Sequence, residues 1–325
     1  MSVSPLVWVV GAGGLLGSSV WRELGAEAWR PSHALRWSDP ACLRQDFSDA
    51  LRAFGERLAA EPGRAWAIAW CAGAGVVATS AQALDAETLA FQQFLAQVAA
   101  DPALGTRVGS FSLASSAGGV YGGCFVSPIS ETTAPQPISP YGRAKLVQEE
   151  LLKAWAESRR NVSVLIARFS NLYGPAQRLH KAQGLISHAS RCLIHNSPLH
   201  VYVSLDTIRD YLFVDDAAHA LVAGLRRVAG ERQPPLVKVI ASENEISIGG
   251  LLGVFRQISR RRLRVIAGLH RLAALQPRRL QFRSQIWTGD THRKVELVEG
   301  VSRVYHRQLA DFAKGQLPPP PVRTA

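Results

Sequence analysis

The sequence predicts an α/β fold, a Rossmann-like doubly wound parallel sheet with a smaller, discontinuous C-terminal lid. Three observations carry that reading. Short apolar runs alternate with helical stretches through the first half of the chain, and the first run ends in a glycine-rich turn. The third is size: 325 residues with 47% hydrophobic side chains are enough for about two domains.

Leu6 to Val10 is too short for a helix and stops at glycines, which marks a buried parallel strand. A helix follows from Leu15 to Leu24, then a weaker strand, Leu35 to Trp37, and a helix from Leu51 to Ala60. Trp66 to Trp70 is the next apolar strand, running into Cys71-Ala72-Gly73. Helix Glu87 to Ala100, strand Val108 to Leu113, helix Tyr141 to Glu157 and strand Val162 to Ala167 continue the alternation. After Arg168 the rhythm changes. Asn171 to Ser204 is rich in polar and turn residues, Tyr211 to Leu225 is one more strand and helix, and an arginine-rich stretch from Leu251 ends in Pro318-Pro319-Pro320-Pro321, read as an exposed tail. The expected division is a dinucleotide-binding domain over 1–170 with a returning segment at about 206–240, and a substrate-binding lid from 171–205 and 241–325.

Lys and Arg total 37 against 25 Asp and Glu, a net charge of +12, which raises nucleic acid as a partner. The arginines are scattered in small groups such as Arg226-Arg227 and Arg260-Arg261-Arg262, with little aromatic interleaving, so a solvated surface is the expectation and nucleic acid is not. Cys42, Cys71, Cys124 and Cys192 are dispersed and fit a reducing, cytoplasmic compartment. No run of about 18 apolar residues occurs, so no membrane span is expected.

The first strand leads directly into Gly11-Ala12-Gly13-Gly14-Leu15-Leu16-Gly17 and then a helix. Gly11, Gly14 and Gly17 fit a turn that lets backbone N–H groups reach a pyrophosphate while the helix packs closely on the sheet, so NAD or NADP is the expected cofactor. The acidic residue that would bind the NAD ribose is not at the second strand end. Arg36 stands there instead and could neutralise a 2′-phosphate, which tilts the expectation modestly towards NADP.

Ser139-Pro140-Tyr141-Gly142-Arg143-Ala144-Lys145 opens a helix with Ser139 as cap, so Tyr141 and Lys145 lie one turn apart on one face. An ammonium beside a phenol favours phenolate, lowering its pKa from about 10 and equipping it to exchange a proton during hydride transfer.

At these residues the chain resembles the extended short-chain dehydrogenase/reductase family, in particular its nucleotide-sugar epimerases and dehydratases. The resemblance also rests on Ser115-Ser116-Ala117-Gly118-Gly119-Val120-Tyr121-Gly122, on Arg168-Phe169-Ser170-Asn171-Leu172-Tyr173-Gly174-Pro175 and on Arg209-Asp210-Tyr211-Leu212-Phe213-Val214-Asp215-Asp216. It covers about the first 220 residues. It implies that Tyr141 is the acid/base, that Lys145 binds the nicotinamide ribose, and that a hydroxyl upstream holds the substrate oxygen. That hydroxyl usually stands where this chain has Ala117, so the role falls to Ser116 with Ser115 in reserve. The resemblance further implies an adenine contact at Asp46-Phe47, nucleotide-diphosphate contacts at Asn171, Arg209 and Arg283, and a homodimer. Gly118-Gly119 replace the Asp-Glu pair of the family's dehydratases, which favours epimerase, with an NADP-dependent keto-sugar reductase as the alternative. The rival from another class is a dinucleotide-sensing or nucleic-acid-binding protein that has lost the chemistry. His180, His188, His195 and His200 show no metal-ligand spacing.

Overall fold

The computed structural model describes residues 4–178, 184–229, 234–268, 277–289 and 291–320. Strand β1 (Leu6–Val10) passes through the glycine turn into helix α1 (Leu15–Leu24), followed by β2 (Ala28–Trp29), α2 (Pro40–Ala59), β3 (Trp66–Trp70), α3 (Ala81–Ala100), a short α4 (Pro102–Gly105) and β4 (Gly109–Ser116). A four-residue α5 (Ala117–Val120), α6 (Pro140–Glu157), β5 (Val162–Phe169) and β6 (Asn171–Tyr173) come next. The second half holds α7 (Leu185–Ile194), β7 (Leu199–Val201), β8 (Ile208–Phe213), α8 (Val214–Val228), β9 (Leu236–Ile240), β10 (Glu245–Ser247), α9 (Ile248–Ser259), β11 (Val265–Ala267) and α10 (Leu297–Ala313).

Six parallel strands form the main sheet in the order β2-β1-β3-β4-β5-β9. Period-two alternation divides its side chains between two cores. Leu6, Trp8 and Val10 pack with Phe54, Phe94 and Phe111 under α2, α3 and α6, whereas Val7 and Val9 pack with Val20 and Leu221 under α1 and α8. A third core joins α7, α9 and α10 to two small sheets, β10-β8-β6 and β11-β7.

The chain turns to opposite sides of β1 when it forms β2 and then β3, so the strand order reverses there. In open α/β sheets the crevice outside the carboxyl ends at such a reversal is where ligands bind. The loops after β1 and β3 therefore flank the cleft described below.

The second strand is not at Leu35–Trp37. It is Ala28–Trp29, paired Val7 to Ala28 and Trp8 to Trp29. Trp29 packs on Trp8 and Phe54 at ring separations of 5.2 and 4.9 Å, and Pro31, which has no N–H to donate, follows closely. Leu35–Trp37 is loop, with Trp37 half exposed at the cleft. Two helices start earlier than the apolar pattern predicts. Asp39 caps α2 by accepting from Ala41 and Cys42 N–H at 3.0 Å with Pro40 at the first position, and Ser80 caps α3. Pro318 and Pro319 are exposed as expected, while Leu317 just before them is buried. Pro321 and His180 lie outside the described residues.

Candidate active site

A cleft of about 1460 Å³ lies above the carboxyl ends of β1, β3 and β4 and is closed on its far side by α7, β7 and β8. It is large enough for a dinucleotide together with a second ligand.

The turn after β1 packs as closely as only glycine allows. Gly11 has φ 87°, and a Cβ there would lie 2.7 Å from the Ala72 nitrogen. A Cβ on Gly17 would lie 2.2 Å from the Gly11 carbonyl oxygen, so α1 approaches the strand as only glycine allows. Gly14 donates to the Gly11 carbonyl at 2.9 Å and begins α1 without a side-chain cap. Its first-turn N–H groups, beside Leu15 and Leu16 on the cleft wall, thus stay available to an anion. These residues fit a dinucleotide pyrophosphate.

Arg36, Asp46 and Phe47 do not join them. Phe47 is fully buried in the core against Trp70 and Phe94. Asp46 lies inside α2 rather than at its start, is buried, and holds the Arg36 guanidinium at 2.6 Å and the Arg36 backbone N–H at 2.8 Å. The hydrogen bonds from Arg36 hold its carboxyl below the usual range. None of the three lines the cleft, where Trp37 and Ser38 take that wall instead.

At the centre, the end of β4 and the first turn of α6 present the hydroxyl groups. Ser139 caps α6 by accepting the Gly142 N–H at 3.1 Å, which sets Tyr141 in the first turn and Lys145 one turn on. Ser115 and Ser116, adjacent at the end of β4, point to opposite faces. Ser115 donates to Glu149 at 2.5 Å in the buried interior, within a network that includes the Arg168–Glu149 ion pair, also at 2.5 Å, and Tyr121. Ser116 accepts the Gly119 N–H at 3.1 Å, and its hydroxyl stands near enough to Tyr141 to draw the phenol pKa down. Ala117, where the resembling family carries its hydroxyl, is fully buried among Val120, Tyr121 and Ile129. A Cβ on Gly119 would lie 3.0 Å from the Tyr141 ring, so the glycine gives the ring its seat.

The protonation balance differs from the sequence expectation. Burial raises the Tyr141 phenol above its ordinary pKa, the Ser116 hydroxyl pulls it down, and the Glu87 carboxylate pushes it up. Lys145 does not lower it here. The Lys145 amine donates to Gln148 at 3.1 Å and is itself pulled down by burial, with Glu87 and Glu149 opposing.

On the far wall Arg209 is buried and bonds only the Ile208 carbonyl at 2.8 Å; among the described residues no carboxylate pairs with it. Asn171 lines the same wall and donates to the Asp210 carbonyl at 2.8 Å. Arg283 is absent from the cleft wall, its guanidinium paired with Glu245. His188 and His200 also line the cleft, whereas His195 packs against Phe312. The sequence reading missed Glu87 and Arg178. Arg178 reaches the Gly13 carbonyl at 3.0 Å, and Glu87 takes two loop N–H groups. The Ser80 cap was the available signal for Glu87, since it places that residue in the second turn of α3.

Fold and site together define a Rossmann-type dinucleotide-binding protein with a Ser–Tyr–Lys constellation facing its cofactor cleft. The chain belongs to the NAD dependent epimerase/dehydratase family, which matches residues 7–239. A dTDP-L-rhamnose 4-epimerase of Burkholderia thailandensis is 35% identical over 99 residues, 30% of this chain and 27% of that protein. The matched stretch is thus well under half of that relative's length. Among solved structures, MoeE5 in complex with UDP-glucose and NAD superposes with a TM-score of 0.72 at 23% identity, covering 94% of this chain and 99% of that one. RMD from Pseudomonas aeruginosa, complexed with NADPH, gives 0.72 at 22% identity over 93% and 97%. At these identities the superpositions show the shared fold. Among the described residues no helix is long and apolar enough to cross a membrane.

Proposed function

We propose that this chain is an NAD(P)-dependent nucleotide-sugar epimerase that inverts a ring carbon through a transient ketone. The observation that carries the reading is one cleft shared by the glycine turn, the Ser116–Tyr141–Lys145 group and the buried Arg209, which pairs with no carboxylate among the described residues. An Arg fork without an internal counter-charge suits a diphosphate, and Asn171 beside it can bond phosphate or sugar oxygens. The Gly11–Gly17 turn would hold the cofactor pyrophosphate, and Lys145 its ribose.

A bound nicotinamide supplies the hydride acceptor and donor. Tyr141, as phenolate, takes the hydroxyl proton of the sugar as the carbon–oxygen double bond forms and, now a phenol, returns it when the carbonyl is reduced from the other face. Ser116 holds that oxygen beside the phenol. Buried Lys145, kept cationic, stabilises the negative charge that grows on Tyr141 when the phenol gives up its proton. The relatives' names support this class: an epimerase appears among the curated proteins, and UDP-glucose in a superposed complex. Gly118-Gly119 at the turn, in place of carboxylates, speak against water elimination there.

The test is turnover across a panel of nucleotide sugars with NAD and NADP, wild type against Tyr141→Phe. Interconversion of epimers without net cofactor consumption, lost in the variant, is expected. Steady NADPH consumption with a keto-sugar would indicate the reductase instead. A wild type inert on every sugar, or a fully active variant, would remove the catalytic reading.

A further inference from the structure

Glu87 projects from the second turn of α3 into the cleft, opposite Tyr141 and Lys145. One of its oxygens, Oε1, accepts the N–H groups of Ala74 at 2.5 Å and Gly75 at 2.6 Å, tying the loop after β3 to the helix. The other, Oε2, and the Lys145 Nζ both approach the face of Gly73, at 3.6 and 3.5 Å from the point where a Cβ would stand. Oε2 also lies 3.2 Å from the equivalent point on Gly75, which is 3.4 Å from the Tyr141 ring. A single carboxylate therefore holds the loop and stands against the same two glycines as the lysine and the tyrosine.

The charges around Lys145 make this arrangement consequential. The amine is buried, and the ionisable groups facing it are Tyr141 and Glu149 from α6 and Glu87 from α3. Glu149 is already spent. Arg168 holds both its oxygens, and Ser115 donates to it as well. Glu87 has no ion pair among the described residues. Of the two carboxylates near Lys145, it alone carries charge that no guanidinium neutralises.

We propose that Glu87 is a positioning residue with two separable jobs: through Oε1 it anchors the 73–75 loop on the cleft rim, and through its charge it keeps Lys145 an ammonium. The inference deepens the proposed function, whose mechanism needs a cationic lysine, but its test does not use turnover. Burial works against the ammonium, Glu87 and Glu149 both oppose it, and Glu87 is the one of the two that no guanidinium compensates.

Both loop N–H groups end on the same oxygen, so Glu87→Gln can retain the anchor through its amide carbonyl and lose only the charge. Glu87→Ala loses both, and Glu87→Asp keeps the charge. The titration of Lys145 is followed by NMR of protein labelled at lysine Cε, the signal assigned by its absence from Lys145→Arg. The expected result is a Lys145 midpoint lower by about one pH unit in Glu87→Gln and Glu87→Ala, and within about 0.3 unit of wild type in Glu87→Asp. Thermal stability should fall in Glu87→Ala more than in Glu87→Gln. A midpoint unmoved in both neutral variants overturns the proposal whatever the sugar panel gives. So does an equal fall in Glu87→Asp, which would show that geometry and not charge matters. If Glu87→Gln does not fold, Glu87→Ala against Glu87→Asp decides the same question.

Discussion

Arg36 and Asp46 are locked together: Nη2 lies 2.6 Å from Oδ1 and Nε 3.1 Å from Oδ2, with the carboxylate buried and the guanidinium half exposed. A guanidinium already forked onto a carboxylate has little left to offer a ribose 2′-phosphate. Arg36→Ala should therefore leave the ratio of NAD to NADP affinities within about twofold, while Asp46→Asn, which frees the arginine, should shift it towards NADP by roughly tenfold, the scale of one charge-assisted bond. Calorimetric titration of both cofactors against the three proteins measures this. A marked NADP preference in wild type that vanishes in Arg36→Ala would restore the role the sequence suggested.

Ser115 and Ser116 are neighbours in sequence with opposite duties. Ser116→Ala should lower kcat by about 10²-fold, the scale of a lost group in proton transfer, with melting temperature nearly unchanged. Ser115→Ala should do the reverse: its hydroxyl serves buried Glu149, so about 1 to 3 kcal/mol of stability goes while kcat holds. Steady-state kinetics and urea unfolding on the two variants separate them. Equal kinetic losses would mean that the two hydroxyls do not divide catalysis from structure.

Glu149 and Arg168 form a fully buried pair that links α6 to β5 beneath the site. Removing one partner strands the other charge in the interior, so Glu149→Gln should cost about 3 to 5 kcal/mol. Chemical denaturation gives the value. A loss under 1 kcal/mol would show that water or a neighbour readily compensates Arg168.

The alternation of apolar runs and helices was legible because β1, β3 and β5 are buried on both faces: β1 and β3 read as unbroken hydrophobic stretches, and β5 is interrupted before its last residue only by Ser163 and Arg168. The tight glycine turn after β1 and the Tyr141–Lys145 spacing were legible because local backbone geometry fixes them. β2 was misplaced because two residues suffice once Trp29 can reach Trp8, and two residues make no pattern. The helix starts at Asp39-Pro40 and Ser80 are written in cap chemistry rather than in periodicity, and the second is what sets Glu87 in the second turn of α3. Arg36 and Arg283 were misjudged for a different reason. Their partners, Asp46 and Glu245, stand 10 and 38 residues away, and only the fold brings them together. The same holds for Tyr141, whose phenol answers to burial more than to its lysine.

That burial gives the last prediction. The Tyr141 phenol sits above its ordinary pKa of about 10, so the acid form, the one that donates to a carbonyl oxygen, predominates through the neutral range and the minor phenolate is what starts the oxidising half. In the reducing half-reaction kcat should be flat from pH 6 to about 9 and fall only above about 10. Ser116→Ala removes the hydroxyl that pulls the pKa down, so the alkaline limb should move up in pH even as the plateau drops. Stability carries the matching sign. Above about pH 10 the unfolded chain ionises this tyrosine and the folded chain resists, so the unfolded state binds fewer protons and stability declines as pH rises. Buried Tyr211, pushed up to about 12, adds to the same decline. Thermal melts from pH 8 to 11 should therefore show a steeper loss for wild type than for Tyr141→Phe, which has no proton to lose at that position. Parallel losses would place the Tyr141 pKa at its unfolded value, and with it would go the claim that burial protects the acid form.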